Sequence, residues 1–170
     1  MNDICTDTSI DIGQATEADM DGILALQAAN QIARGGMLAA EFPRECLEAM
    51  RAAMPLIVAR RGGQVQGFLL ASPKATNAEL PVIRAMLAAY PGAADAYVYG
   101  PICVGAQARG QGLAAAMFTA LRRLAPGREG VLFIRRDNEA SLRAHRRMGM
   151  REVAGFALNG LDFAVFAYVG

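Results

Sequence analysis

The residues with the clearest chemical meaning form a glycine-rich turn in the second half of the chain, Val104-Gly105-Ala106-Gln107-Ala108-Arg109-Gly110-Gln111-Gly112-Leu113-Ala114. The turn follows a hydrophobic run and opens directly into an alanine-rich segment that is typical of a helix. Because Gly110 and Gly112 lack a Cβ atom, the backbone can turn tightly and approach a ligand closely. The first N–H groups of the following helix have no partner within it and point at any bound anion. The pattern therefore predicts a site for a phosphate-bearing ligand.

Two familiar phosphate sites do not fit this turn. No Lys-Ser or Lys-Thr pair follows the glycines, as a P-loop requires. A dinucleotide-binding turn needs a third glycine and an acidic residue about 20 positions later, and the sequence has neither. Taken alone, the turn leaves an anion site and an ordinary strand-to-helix connection as alternatives.

A second group of polar residues lies in the segment Asn138-Glu139-Ala140-Ser141-Leu142-Arg143-Ala144-His145-Arg146-Arg147-Met148-Gly149-Met150. At 3.6 residues per turn, one helix face carries Asn138, Ser141, Leu142, His145 and Met148, and the other carries Arg143, Arg146 and Arg147. His145, the only histidine, is predicted to face inward. Its spacing fits either a structural or a catalytic histidine. The arginines are interpreted as a solvated face, partly paired with Glu139.

Together the two segments resemble the GNAT superfamily of N-acetyltransferases. The cofactor signature of that family is Arg or Gln, two residues, Gly, one residue, then Gly or Ala. It stands here as Arg109-Gly110-Gln111-Gly112-Leu113-Ala114, after the strand end Ile102-Cys103-Val104. The second segment is similar to a family pattern of Asn, two residues, a small residue, then an aromatic residue and a closing Gly-aromatic pair. The resemblance is specific over about Tyr97 to Met150, and the order of elements agrees elsewhere.

The resemblance implies an α/β (α+β) fold, with one GNAT-like domain over residues 9–170 and a mixed central sheet of about seven strands with helices on both faces. It also implies acetyl-CoA as co-substrate and no metal. Main-chain groups of Ile102, Cys103 and Val104 would pair with the pantetheine arm. The pyrophosphate would be held by Arg109, Gly110, Gln111, Gly112, Leu113, Ala114 and Ala115. Asn138 would contact the cofactor near its thiol end.

The sequence departs from the family pattern where a tyrosine usually protonates the departing thiolate, because His145 occupies that position. Histidine can do the same work, since its pKa of about 6.5 lies closer to neutrality than that of tyrosine. We therefore expect His145 to be the catalytic acid. This hypothesis depends on which ring nitrogen carries the proton.

The sequence does not identify a general base. Many family members carry a glutamate near positions that are occupied here by Tyr97, Tyr99, Phe133 and Ile134. Three alternatives stay open, namely a water relay, an acid from the early helices such as Glu41 or Glu45, and an amine of low pKa. Cys103 is interpreted as a small buried residue rather than a nucleophile.

The elements that must position these residues follow from hydrophobic periodicity and turn signals. Strands are predicted at residues 9–15, 56–61, 65–71, 96–104, 131–135, 151–158 and 161–169. Helices are predicted at residues 17–32, 43–54, 79–90, 113–124 and 139–148, and Asn138 is predicted to cap the last of them. The buried stripe of the second helix is predicted at Leu47, Met50 and Met54, and that of the fourth at Leu113, Met117, Leu121 and Leu124. Gly62-Gly63 and Asn159-Gly160 predict two hairpins. This order favours a mixed sheet with helices on both faces.

Composition sets the broad class of the protein. The chain has 170 residues, of which 54% are hydrophobic and 19% charged, and this suits one domain. No apolar run reaches the ~18 residues that cross a bilayer, and a net charge of +1 gives no general attraction to nucleic acid or membranes. Residues 1–8 are expected to be a flexible N-terminus. Cys5, Cys46 and Cys103 are widely spaced and follow no signal peptide, so a cytoplasmic location is expected.

These patterns lead to one expected function and one alternative. We expect an acetyl-CoA-dependent N-acyltransferase, in which a primary amine of a small molecule, amino acid or peptide attacks the thioester directly. The alternative is a catalytically weak, CoA-binding regulatory or interaction module. The acceptor site is expected around residues 30–42 and 156–163, whose small apolar side chains favour a compact amine. A homodimer through the late strands is left open.

Overall fold

The computed structural model describes residues 9–38 and 40–170, so the N-terminal segment 1–8 lies outside the described residues. The strands are β1 (Ile10–Gln14), β2 (Ile57–Arg61), β3 (Gln64–Pro73), β4 (Tyr97–Val104), β5 (Glu129–Arg135), β6 (Arg151–Leu158) and β7 (Leu161–Val169). The α-helices are α1 (Met20–Ala29), α2 (Arg44–Ala53), α3 (Pro81–Ala89), α4 (Leu113–Leu124) and α5 (Glu139–Arg147). Short 3-10 turns lie at Glu17–Asp19, Ile32–Arg34 and Ala106–Ala108.

These strands form a mixed, seven-stranded sheet in the order β1-β2-β3-β4-β5-β7-β6. Antiparallel pairing joins β1 to β2, β2 to β3, β5 to β7 and β6 to β7. β4 and β5 are parallel, with Tyr97 opposite Gly130 and Val98 opposite Val131. The α/β fold class and the mixed sheet of seven strands predicted from the sequence are confirmed.

The chain gathers into two compact units, each with its own apolar core. The first contains the described residues up to Leu70 together with Pro101–Leu121. Its core includes Met20, Ile23, Leu47, Met50 and Phe68. The second contains Ala71–Gly100 and Arg122–Gly170. Its core includes Ile83, Met86, Val98, Val131 and Val165. Full burial of one such side chain stabilises the folded state by about 1.5–3 kcal/mol.

Local sequence signals explain most of the element boundaries. The side-chain oxygen of Asn138 accepts a hydrogen bond from the Ser141 N–H at 3.2 Å and so caps α5, as predicted. Asn159 and Gly160, at φ 51° and 75°, form the predicted hairpin turn between β6 and β7. Pro43 precedes α2, whose predicted stripe ends in the buried Met54.

The prediction of a buried Leu124 was wrong. Leu124 is 45% exposed, whereas Ala125 is only 3% exposed. The buried stripe of α4 keeps a spacing of four residues from Leu113 through Met117 and Leu121, and the next position on that face is Ala125.

Two helix ends also differ from the sequence prediction. α1 ends at Ala29 rather than near residue 32, because the Asn30 side-chain amide donates to the Leu26 carbonyl at 2.9 Å and closes the last turn. α3 begins at Pro81 rather than near residue 79, since a proline at the first helical position needs no acceptor for an N–H. Among the described residues, the helices are either too short or too polar to cross a bilayer.

Candidate active site

The glycine turn that precedes α4 adopts a backbone that only glycine takes up readily. Gly110 and Gly112 have φ values of 74° and 76°, in the left-handed region where a Cβ costs about 1–2 kcal/mol. A Cβ placed on either residue would meet nothing within 4 Å, so the space beside the turn is open. The Ala116 N–H donates to the Gly112 carbonyl at 3.0 Å, and the helical N–H groups before it have no acceptor within α4. The turn can therefore present main-chain donors to an anion.

The strand end that leads into this turn is packed closely against its neighbour. A Cβ on Gly67 of β3 would lie 3.0 Å from the Cys103 carbonyl oxygen and 3.1 Å from the Met117 methyl carbon. Cys103 is 6% exposed, and burial raises the pKa of its thiol to about 11. A thiol with that pKa holds its proton at neutral pH, which favours the interpretation of Cys103 as a packing residue.

Arg109 fastens the turn to the end of α1 within the first unit. Its Nε donates to the Val104 carbonyl at 3.2 Å, and its Nη2 donates to Asn30 Oδ1 at 2.8 Å. Arg109, which is predicted to contact the pyrophosphate, therefore also holds the turn against the end of α1. Sequence reasoning missed the role of Asn30, because nothing in its local pattern points to a partner 79 positions away.

The connection from α1 to α2, where part of the acceptor site was expected, is held by amide side chains. Gln27 is fully buried, and its side-chain nitrogen donates to the Phe42 carbonyl while its oxygen accepts from the Phe42 N–H, both at 3.0 Å. The Gln31 amide donates to the Gln27 and Ala40 carbonyls. Glu41 and Glu45, the acids considered as bases, are exposed.

His145 lies on α5 in the second unit and is 4% exposed. Its Nδ1 is 2.8 Å from the Ser141 carbonyl oxygen and 3.2 Å from the Ser141 hydroxyl. A carbonyl oxygen only accepts hydrogen bonds, so Nδ1 must carry the proton of the neutral ring. Burial lowers the pKa of His145, and the Ser141 bond opposes this in part. The ring is therefore neutral at physiological pH, with an unprotonated Nε2.

Nε2 of His145 has no hydrogen-bond partner among the described residues, although it is buried. Leaving a buried polar atom unpaired costs about 1–3 kcal/mol, so native proteins rarely do it without a functional reason. This nitrogen is therefore a candidate for a functional role.

One aromatic ring contacts the imidazole directly, and two more tyrosines lie behind it. The Tyr99 ring of β4 meets it edge to face, with centroids 5.6 Å apart, and Tyr168 of β7 packs against Tyr99 at 5.8 Å. The hydroxyl groups of Tyr97 and Tyr168 are 2.5 Å apart. Burial raises the pKa of all three phenols, so they stay protonated. Sequence analysis missed this cluster, because Tyr168 lies on a strand far along the chain.

The charged face of α5 is partly as predicted. Arg143 pairs with Glu139 at 3.3 Å, and both side chains are exposed. Arg146 instead pairs with Glu152 of β6 at 3.1 Å, since that strand offers a second carboxylate. Three or more His, Cys, Asp or Glu side chains suited to a metal ion do not come together within residues 9–38 and 40–170.

Comparison with known proteins gives a family and a fold. The sequence matches the model of the acetyltransferase (GNAT) family over residues 25–150. No curated protein sequence gives a significant match.

Several solved structures share this fold. YncA from Salmonella typhimurium, solved with its cofactor acetyl-CoA, has a TM-score of 0.68 at 18% identity, over 95% of this chain and 94% of that chain. A ribosomal-protein-alanine N-acetyltransferase from Brucella melitensis has a TM-score of 0.66 at 23% identity, over 94% and 99% of the two chains. NAA60 from Arabidopsis thaliana, in complex with a bisubstrate analogue, has a TM-score of 0.66 at 17% identity, over 95% and 98%.

The family match spans most of the chain and includes both the glycine turn and the helix that carries His145. The structures named above superpose on this chain over almost their full length. The protein belongs to the GNAT acetyltransferase family.

Proposed function

We propose that this enzyme transfers the acetyl group of acetyl-CoA to a primary amine on a small molecule, an amino acid or a peptide. The observation that carries the proposal is the open glycine turn before α4, where Gly110 and Gly112 hold positive φ angles beside empty space. A pyrophosphate fits this geometry, because main-chain N–H groups and the helix dipole both favour an anion there. The cofactor acetyl-CoA in the YncA structure supports the same assignment.

Each part of the co-substrate is assigned to particular groups of the chain. The pantetheine arm is assigned to main-chain groups of Ile102, Cys103 and Val104, as an added strand would pair. The pyrophosphate is assigned to the residues Arg109, Gly110, Gln111, Gly112, Leu113, Ala114 and Ala115. Two of the five N–H donors of Arg109 are used on Val104 and Asn30, which leaves others for a phosphate oxygen. Asn138 keeps its amide N–H groups for the cofactor, since only its oxygen caps α5.

The reaction is a direct attack. The amine lone pair forms a bond to the thioester carbonyl carbon, the C–S bond breaks, and sulfur leaves as a thiol once it receives a proton. His145 is proposed as the catalytic residue that supplies this proton. In the free protein, however, the proton of the ring is on Nδ1 and bound to Ser141, so Nε2 must first gain a proton before it can give one.

The acceptor is proposed to be a compact amine with an apolar portion. In the connection after α1, Ile32 and Met37 are 45% and 46% exposed, while the amides of Asn30 and Gln31 are used on protein groups. Cys46 and Cys103 are free thiols, which supports a reducing cytoplasm as the site of action.

A thiol-release screen tests the proposal. The purified protein is mixed with acetyl-CoA and a panel of amines, amino acids and short peptides, and free CoA thiol is followed over time. We expect release that depends on one class of amine, with the acetylated amine confirmed by mass spectrometry. Tight CoA binding with no release across the panel would instead favour a CoA-binding regulatory module.

A further inference from the structure

The proposed reaction needs a group that takes a proton from the attacking amine, and the chain carries no carboxylate at the usual positions. Tyr97, Tyr99, Phe133 and Ile134 stand there instead. Glu41 and Glu45 are exposed. Among the described residues, the second unit contains an unprotonated basic nitrogen with no hydrogen-bond partner, Nε2 of His145.

We propose that His145 carries the proton in both directions, with Nε2 taking it from the attacking amine and returning it to the departing sulfur. The inference rests on the proposed function, and it replaces a separate base and acid with one imidazole. It adds the role of base, which the sequence could not place, to the role of acid that was expected at this residue.

The geometry of the ring supports this assignment. The 2.8 Å bond from Nδ1 to the Ser141 carbonyl fixes both the tautomer and the orientation of the ring. A ring turned by 180° would place a carbon beside that carbonyl and lose the bond. The edge-to-face contact with Tyr99 holds the imidazole from the side of β4. A residue that acts only as an acid would have to hold an imidazolium in the free protein, and burial in an apolar, aromatic environment opposes that charge.

The proposed acetyl transfer balances in protons and electrons with only the two substrates and His145. A neutral amine forms the C–N bond with its lone pair, and its N–H proton moves to Nε2, so that the ring becomes an imidazolium held at Nδ1 by Ser141. The C–S bond breaks with its electron pair on sulfur. The proton on Nε2 then moves to sulfur, which gives the CoA thiol, the acetylated amine and the original neutral histidine.

The groups that face His145 can be named for any pH experiment. Tyr99 of β4 is in ring contact, and Tyr168 of β7 lies behind Tyr99. Ser141 is the neighbour on α5. Burial raises the pKa of both phenols, so neither titrates near neutral pH. A titration observed near His145 in this range therefore belongs to the imidazole.

Nitrogen NMR tests the state of the ring without any acceptor amine. His145 is the only histidine of the chain, so untagged protein labelled with ¹⁵N-histidine gives a single pair of imidazole signals. We expect the neutral form with the proton on Nδ1, a pKa below 6.5, and an Nε2 signal that changes more with CoA than with desulfo-CoA. Binding of both ligands with identical Nε2 signals would overturn the proposed two-way proton transfer by His145, here called the shuttle. It would leave acetyl-CoA binding intact. Failure of CoA itself to bind would overturn the proposed function instead.

Substitutions at His145 distinguish a residue that both accepts and donates the proton from one that only donates it. Tyrosine can donate a proton to sulfur but cannot take one from an amine at neutral pH, so His145→Tyr keeps only half of the proposed role. We expect kcat to fall by about 10²–10⁴-fold in both His145→Tyr and His145→Gln, with KM for acetyl-CoA unchanged. The wild-type kcat/KM profile, which reports groups of the free enzyme, should rise with pH through a pKa below 6.5, and this limb should be missing in both variants. Arg147→Gln, on the exposed side of the same helix, is the matched control.

One kinetic result would overturn the shuttle directly. If His145→Tyr keeps the wild-type kcat at neutral pH, the residue acts as an acid only, and the base lies elsewhere. If His145→Gln also keeps it, the histidine has no role in proton transfer. Circular dichroism and CoA affinity of each variant show that a lost kcat is not lost folding.

Discussion

The glycine turn of the first unit and the histidine environment of the second are two different ways to build a functional site. The turn offers main-chain N–H groups in an open position, with no Cβ at Gly110 or Gly112. The histidine environment offers one side-chain nitrogen on a residue that is 4% exposed and in edge-to-face contact with Tyr99. The ability of the turn to bind an anion depends on its backbone conformation. The chemistry available to His145 depends on which ring nitrogen carries the proton.

This difference determines how each region responds to substitution. A change that alters the backbone of the turn removes several donors at once, because all of them belong to one conformation. A change at His145 removes the unpaired Nε2 together with one bond to Ser141. The first should reduce both folding and binding, and the second should reduce turnover with a smaller cost in stability.

The largest effect is expected from Gly112→Val. A β-branched residue is strained at a φ of 76°, so the turn should rearrange and withdraw its N–H groups. We expect the Kd for CoA, measured by calorimetry, to rise about 100-fold, which corresponds to the loss of one or two charge-assisted hydrogen bonds. Gly63→Val is the matched control, because Gly63 has the same φ of 76° and open surroundings in the β2–β3 hairpin. Equal losses of CoA affinity in the two variants would show that the turn is not the pyrophosphate site.

A smaller effect is expected from Arg109→Met, which keeps the length of the side chain but removes its donors. The turn should lose its bonds to Val104 and Asn30 and any contact to phosphate. We expect KM for acetyl-CoA to rise about tenfold, close to the value of one charge-assisted hydrogen bond. Arg51→Met in α2 serves as the control for loss of a surface charge. An unchanged KM would show that Arg109 does not contribute to acetyl-CoA binding.

A third comparison concerns paired and unpaired buried polar atoms in the second unit. Tyr97→Phe removes a hydroxyl that is bonded to Tyr168, so we expect a loss of about 1 kcal/mol in the free energy of unfolding. His145→Phe removes an unpaired nitrogen together with one bond to Ser141, so its cost should be smaller. Denaturant unfolding at neutral pH measures both. A larger loss for His145→Phe would mean that His145 is mainly structural.

The smallest effect is the pH dependence that His145 contributes to stability. Its pKa is lowered in the folded protein by burial, so below the ordinary value of 6.5 the unfolded chain binds more protons than the folded one. Stability should therefore fall as the pH drops from about 6.5 toward the folded-state pKa. The difference in Tm between wild type and His145→Phe, followed from about pH 8 to pH 5, isolates the contribution of His145 to the pH dependence of stability. A constant difference over the range would place the folded pKa at its ordinary value.

The elements that carry local signals were predicted closely from the sequence. The bounds of β6 and β7 agree residue by residue, because Asn159-Gly160 fixes the hairpin between two alternating strands. The cap at Asn138 and the glycine turn before α4 were also predicted, since each depends on residues within a few positions. Local chemistry was sufficient for these features.

Features that depend on distant partners were not predicted. The bond between Arg109 and Asn30 joins residues 79 positions apart, and the ring cluster at His145 draws Tyr99 and Tyr168 from different strands. The tautomer of His145 follows from a distance to the Ser141 carbonyl, which no sequence pattern records. The exposed Leu124 was mispredicted for the same reason. At the end of a helix, the packing of neighbouring elements determines which residue is buried.

The protonated thiol of Cys103 has a consequence for the chemical durability of the enzyme. In oxidation by peroxides and in exchange with disulfides the thiolate is the attacking nucleophile, and a buried thiol with a pKa of about 11 offers almost none of it. The proposed reaction releases a second thiol, CoA, whose pantetheine arm is assigned to this strand end. An oxidant converts free CoA to its disulfide, and a Cys103 thiolate would have to attack that disulfide to form a mixed disulfide. Cys103 should therefore stay a free thiol under mild oxidation.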